Sequence, residues 1–182
     1  MTRAFVFLDR DGTLVRDFGY THKLADYELL PGVREGLLRI SRAGFGLAVV
    51  TNQSGIGRGY YTLADFEVFQ AHLCADLSRG GIRIEATFFC PHRPDAGCPC
   101  RKPAPGLLWR ARDELGADLA ASWVVGDQAV DLELAGRAGC RGAVLVGSDV
   151  VRGSGGRALP AVAGLAEAAE FIVSQGAAAG SN

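Results

Sequence analysis

Short apolar runs alternating with helix-like segments are what most constrain the fold of this chain. Ala4–Leu8, Gly46–Val50, Ala86–Phe89, Ser122–Val125 and Ala143–Val146 are too short for buried helices. They read as continuous apolar stretches, the pattern of strands buried on both faces. Helical punctuation fills the intervals. Pro31–Ala43 opens on proline, carries Val33, Leu37, Leu38 and Ile40 at helical spacing and stops at Gly44. Thr62–Arg79 opens on Thr62 with Asp65 three residues on, a capping-box pattern, and stops at Gly80 and Gly81. Pro105–Leu115, Ala129–Ala138 and a closing Ala163–Val173 complete the set. A strand, a crossover helix and a next strand make a parallel pair. The expected fold is therefore α/β, a doubly wound, Rossmann-like parallel sheet with helices on both faces. Gly153–Gly156 reads as a loop, and no insertion is long enough for a large cap domain.

The chain has 182 residues, the length of one domain, expected over residues 1–175 with residues 176–182 as a flexible tail. With 48% hydrophobic and 21% charged residues, wholesale disorder is excluded. Nineteen basic residues against 20 acidic ones give a net charge of −1, which excludes a basic nucleic-acid footprint and a polybasic membrane patch. No apolar run approaches the roughly 20 residues of a membrane helix. The apolar stretch before Asp9 is also shorter than a signal-peptide core. A cytoplasmic monomer without nucleic-acid or membrane partners is expected.

In an open parallel sheet the ligand sits beyond the carboxyl ends of the strands. The first run is followed by Asp9-Arg10-Asp11-Gly12-Thr13, where two carboxylates two positions apart project to one side. Either this is a solvated acidic turn, or a divalent cation offsets their repulsion. The second run leads into Thr51, Asn52, Gln53 and Ser54, a hydroxyl and amide loop suited to phosphate and equally readable as a polar turn. The fourth leads into Gly126-Asp127, with Asp131 one helical turn on. Asp127 could complete the cation site, and Asp131 could do no more than favour a helix N-terminus.

The third run leads into Cys90-Pro91-His92, five further residues, then Cys98-Pro99-Cys100. Three thiolates and an imidazole at this spacing form the four-ligand set of a closed structural zinc site, a staple for a long loop. Cys74 and Cys140 read as buried fillers, and His72 as structural. Arg101 and Lys102 follow the last of those ligands, so a zinc staple would fix two cations beside the carboxylates.

Together, Asp9–Thr13, Val50–Gly55, Arg101–Pro103 and Asp127–Asp131 resemble, in order and spacing, the four motifs of haloacid-dehalogenase-superfamily phosphatases. The resemblance covers about Phe5 to Val146. It implies that Asp9 is the nucleophile, forming an aspartyl-phosphate, and that Asp11 is the general acid and then the base for water. It also implies that Thr51 and Lys102 hold the phosphoryl oxygens. Mg²⁺ would be held by Asp9, Asp127 and the backbone carbonyl of Asp11. The Cys/His loop narrows the resemblance to a branch holding heptose-bisphosphate and histidinol-phosphate phosphatases. Asp17–His22 resembles the substrate-contacting loop of the heptose enzymes, as does Ser54–Gly59. That match implies substrate contacts at Asp17, Gly19, Tyr20, Asn52, Gln53, Ser54, Arg101 and Gln128.

Two departures stand out. Gln128 replaces a lysine that the heptose enzymes can carry, and the gap from His92 to Cys98 is short, as in the histidinol branch. The expected activity is Mg²⁺-dependent removal of the C7 phosphate of D-glycero-D-manno-heptose 1,7-bisphosphate. Histidinol phosphate, or another small sugar phosphate, is the alternative substrate. A receiver-type signalling domain would need its phosphorylated aspartate after the third strand, where Cys90 stands. A pure zinc-binding interaction module would leave Asp9, Asp11, Thr51 and Asp127 unexplained.

Overall fold

The computed structural model describes residues 2–147 and 161–176. The expected loop Gly153–Gly156, and the tail beyond Gly176, lie outside the described residues. Six strands form one parallel sheet: β1 (Phe5–Leu8), β2 (Gly46–Asn52), β3 (Ala86–Cys90), β4 (Trp123–Gly126), β5 (Gly142–Val146) and β6 (Ala161–Val162). Their order is β3-β2-β1-β4-β5-β6. The two halves of the chain thus diverge from β1, and the crevice at that switch point faces the loops after β1, β2 and β4.

Side-chain alternation along β1 builds two cores. Val6 and Leu8 face one layer, where they meet Leu37, Ile40, Leu73, Leu77 and Ile172. Phe5 and Phe7 face the other, with Leu107, Leu108, Ala111 and Leu134. The first layer is covered by α1 (Val33–Arg42), α3 (Leu63–Arg79) and α6 (Leu165–Ser174), and the second by α4 (Gly106–Leu115) and α5 (Ala129–Ala138). A one-turn helix, α2 (Ser54–Gly57), follows β2.

The capping box of α3 is present: Asp65 N–H donates to Thr62 Oγ1 (3.2 Å), and Thr62 N–H donates to Asp65 Oδ2 (2.8 Å). Differences from the sequence reading fall at element ends. β2 runs two residues past Val50, so Thr51 and Asn52 stand on the sheet rather than in a loop, where pairing with β3 holds them. β3 ends on Cys90, not Phe89. The helix expected from Pro31 starts at Val33, because Gly32 takes a left-handed conformation (φ 77°). Neither α2 nor the two-residue β6 has enough residues to show a period.

The connection from β1 to α1, residues 9–32, contains a single 3-10 turn at Leu24–Asp26 and no cap domain. The connection from β3 to α4 is the Cys/His loop. No described helix is long and apolar enough to cross a membrane.

Candidate active site

Three carboxylates converge at the switch point because two glycines let backbone and side chain approach. Asp9 follows β1 directly, and its N–H donates to the Val125 carbonyl of β4 (2.9 Å). Gly12 has φ 78°, and a Cβ there would fall inside the Asp127 carboxylate. At Gly126 a Cβ would overlap the Asp131 carboxylate. Oxygens of Asp9, Asp127 and Asp131 consequently lie within 4.8 Å of one another. At an effective dielectric near 20, two charges that close repel by about 3–4 kcal/mol.

Lys102 Nζ lies 2.9 Å from Asp9 Oδ1 and 2.7 Å from Asp131 Oδ1, and the residue is buried. Burial works against its charge, but Asp9 and Asp131 outweigh that and hold its pKa above the usual lysine value. One ammonium does not balance three carboxylates. Burial, then Asp9 and Asp131, push Asp127 up to about 7. Burial, opposed by Lys102, leaves Asp131 at about 6. Asp127 Oδ1 is buried with no hydrogen-bond partner. This set of carboxylate oxygens suits a hard divalent cation such as Mg²⁺.

The Lys102 backbone is clamped by Asn52. Lys102 N–H donates to Asn52 Oδ1 (3.0 Å), and Asn52 Nδ2 donates to the Lys102 carbonyl (3.2 Å). Arg10, between the two aspartates in sequence, is fully buried. Its guanidinium lies 4.8 Å from the Phe69 ring centroid and 5.5 Å from that of Phe66. Arg10 Nε donates to Asp11 Oδ1 (3.0 Å) and Nη2 to Asp11 Oδ2 (2.9 Å). Nη2 also reaches the Thr21 carbonyl (2.6 Å) and Gln53 Oε1 (3.2 Å). Gln53 Nε2 donates to Asp11 Oδ2 (2.8 Å) and to Thr51 Oγ1 (2.9 Å). Burial raises the Asp11 pKa, and Arg10 opposes it. Tyr61 OH donates to Gln53 Oε1 (2.5 Å), and burial pushes its phenol up to about 12, so it keeps its proton.

Asp9, Asp11, Thr51 and Lys102 line one cavity of about 320 Å³, with Asp17, Gly19, Tyr20, Asn52, Gln53, Ser54, Arg101 and Gln128. Asp127 stands behind it, in the carboxylate cluster. Arg101 Nη1 is buried there without a hydrogen-bond partner. The loop over the mouth is held locally. Asp17 Oδ1 accepts from the Gly19 N–H (2.8 Å), and Tyr20 takes a left-handed conformation (φ 57°). The Tyr20 ring meets Tyr60 edge-on at 4.8 Å, and His22 stacks on Tyr61 at 4.6 Å.

Several residues at the site escaped the sequence reading. Tyr61 and Val130 also line the cavity. Asp131 caps α5 through the Gln128 N–H (3.2 Å) and also anchors Lys102. Only the Asp131 spacing carried any signal. The burial of Arg10 and the donation from Tyr61 are properties of packing.

Cys90, His92, Cys98 and Cys100 form a second cluster. The three sulfurs are 3.3–3.5 Å apart, and His92 Nδ1 is 3.6 Å from Cys90 Sγ and 3.2 Å from Cys100 Sγ. Tetrahedral zinc–thiolate bonds of about 2.3 Å place sulfurs about 3.8 Å apart; the three edges here are near-equal and somewhat shorter, and the donor types suit such an ion. The cluster offers four protein donors, and Arg101 follows the last of them.

Comparison with known proteins follows the same lines. A family model described as HAD-hydrolase-like matches residues 99–169. The D-glycero-beta-D-manno-heptose-1,7-bisphosphate 7-phosphatase of Escherichia coli K12 is 41% identical over 148 residues, 78% of each chain. The protein of the same name from Pseudomonas aeruginosa is 42% identical over 142 residues, covering 78% of this chain and 80% of its own. Among solved structures, the D,D-heptose 1,7-bisphosphate phosphatase of B. bronchiseptica, complexed with magnesium and phosphate, superposes with a TM-score of 0.82. That match has 31% identity and covers 95% of this chain and 99% of that one.

Proposed function

The chain belongs to the haloacid-dehalogenase-like phosphatase family, and from that premise we propose that it removes the C7 phosphate of D-glycero-D-manno-heptose 1,7-bisphosphate. Its setting would be cytoplasmic, with a small phosphorylated sugar as its partner. The observation that carries the reading is the convergence of Asp9, Asp11, Thr51 and Lys102 on one cavity. Asp9 Oδ1 is tied by the Arg10 N–H (2.7 Å) and by Lys102 (2.9 Å), which leaves Oδ2 to attack phosphorus. The bond from phosphorus to the C7 oxygen breaks, and Asp11 gives its proton to that oxygen. In the second half Asp11 takes a proton from water as its oxygen attacks phosphorus, and Asp9 is released. Dividing hydrolysis this way replaces one hard step by two easier ones.

Thr51 and Lys102 would hold the phosphoryl oxygens, with Asn52, Gln53 and Ser54 beside them. Asp17, Gly19, Tyr20, Arg101 and Gln128 would read the sugar and its second phosphate. Asp9, Asp127 and the Asp11 carbonyl would hold Mg²⁺, which supplies the positive charge that lets a phosphate dianion approach the carboxylates. Cys90, His92, Cys98 and Cys100 would hold Zn²⁺, fixing the loop that carries Arg101 and Lys102.

The test is phosphate release with Mg²⁺ from the α and β anomers of the heptose bisphosphate and from histidinol phosphate, side by side. A heptose preference of about 100-fold in kcat/KM, some 2.7 kcal/mol of transition-state binding, is expected. A preference for histidinol phosphate would overturn the assignment and make the short Cys/His loop the better guide.

A further inference from the structure

We infer that Tyr61 is a positioning residue for Asp11, acting through the side-chain amide of Gln53. The inference rests on the acid–base role proposed for Asp11. An amide has two faces of opposite polarity, and Gln53 is buried between Arg10, which can only donate, and the Asp11 carboxylate, which accepts. Its oxygen receives two donors, Tyr61 OH at 2.5 Å and Arg10 Nη2 at 3.2 Å. Its nitrogen then points at Asp11 Oδ2 (2.8 Å) and Thr51 Oγ1 (2.9 Å). Turned over, the amide would set its oxygen against the Asp11 carboxylate and its N–H₂ against the Arg10 guanidinium. Arg10 and Asp11 forbid this, and Tyr61 supplies the shorter of the two bonds to the amide oxygen, which fixes where the amide sits.

Asp11 has little else to hold it. Arg10 grips both its oxygens from one side, and the Gln53 N–H is the donor from the second direction. The carboxyl must point at one substrate oxygen to protonate it, and two directions of restraint specify that better than one. Tyr61 is itself fixed, being buried with the His22 ring stacked 11° from parallel to its own. The hydroxyl therefore reaches the catalytic carboxyl through one intermediate side chain.

Tyr61→Phe removes the hydroxyl and keeps the ring and its stack on His22. The readout is kcat/KM on two substrates that differ in their need for an acid. A sugar alkoxide must be protonated as it leaves, whereas p-nitrophenolate departs without a proton. The variant is expected to lose about tenfold more in kcat/KM on the heptose bisphosphate than on p-nitrophenyl phosphate. A circular-dichroism melt confirms that it is folded at the assay temperature. Equal loss on both substrates would place the effect on Thr51 or on the fold, and no loss on either would mean that Arg10 alone orients Gln53. Either result overturns the inference. Asp11→Asn, run in parallel, must show the same selectivity at larger size. If it does not, the acid–base reading fails on its own account, whatever Tyr61→Phe does.

Discussion

Replacing Asn52 by alanine separates a scaffold from a substrate contact. The Asn52 side chain spends its oxygen and one of its two amide hydrogens on the Lys102 backbone, at 3.0 and 3.2 Å. Each such bond contributes about 0.5–1.5 kcal/mol, so the clamp is worth about 2 kcal/mol in all. If that energy holds the folded loop, Asn52→Ala lowers the melting temperature by about 4–8 °C for a chain of this length. If it is felt as misplacement of the Lys102 ammonium, the ceiling is about 30-fold in kcat/KM. The assay pairs a thermal melt with Mg²⁺-dependent phosphate release. A loss of about 10²–10³-fold is the size of a missing transition-state donor. It would put the second amide hydrogen of Asn52 on a phosphoryl oxygen and refute the purely scaffolding account. An unchanged melt and unchanged turnover would refute the clamp.

Stripping zinc from the site proposed at Cys90, His92, Cys98 and Cys100 should lower activity about tenfold or more by freeing Arg101 and Lys102. A zinc-free sample that remains folded and turns over at full rate in Mg²⁺ would sink that coupling. A third expectation concerns stability and pH at the base of α3. The Tyr27 hydroxyl donates to Asp76 Oδ2 (2.6 Å) and holds that carboxyl below its usual range, with help from Arg79 and Arg34. A depressed carboxylate contributes stability above its unfolded pKa, near 4, and loses it as pH falls through the lower folded value. Burial and Asp76 raise the Tyr27 phenol, whose contribution is complete below its unfolded pKa, near 10, and fades as pH rises beyond it. Urea unfolding of Asp76→Asn should therefore show its deficit between about pH 5 and 9, shrinking at pH 3. A deficit independent of pH would show that the ion pairs and the phenol bond contribute nothing there.

Strand and helix identities were readable because they are local. The apolar runs ending at Leu8 and Val50, and the capping pattern of Thr62 and Asp65, reflect interactions within a few residues. The Cys/His cluster was readable for the same reason, since all four side chains belong to one short loop. What periodicity missed were pieces too short to have a period, namely α2 and β6. It also misjudged the end of β2, where the β3 partner rather than hydropathy keeps Thr51 and Asn52 extended.

At the site, the sequence supplied chemical types and left their contacts open. Asp131 read either as a first-turn acid of α5 or as the end of the fourth motif, and its contact was not legible because its partner Lys102 is 29 residues away in the chain. Nothing local marked Arg10 for burial, yet it lies fully buried against Phe66 and Phe69 of α3.

By itself, then, the sequence determined the parallel α/β class, the acidic, hydroxyl and cationic groups waiting at successive strand ends, and a metal-ready loop. These follow from short-range periodicity and spacing. Only the tertiary structure decided that β1 lies central, that Gly12 and Gly126 let three carboxylates gather with two of them on one lysine, and that Tyr61 hydrogen-bonds Gln53. Those depend on which distant segments pack together, and packing is a sum over the whole chain that no local pattern contains.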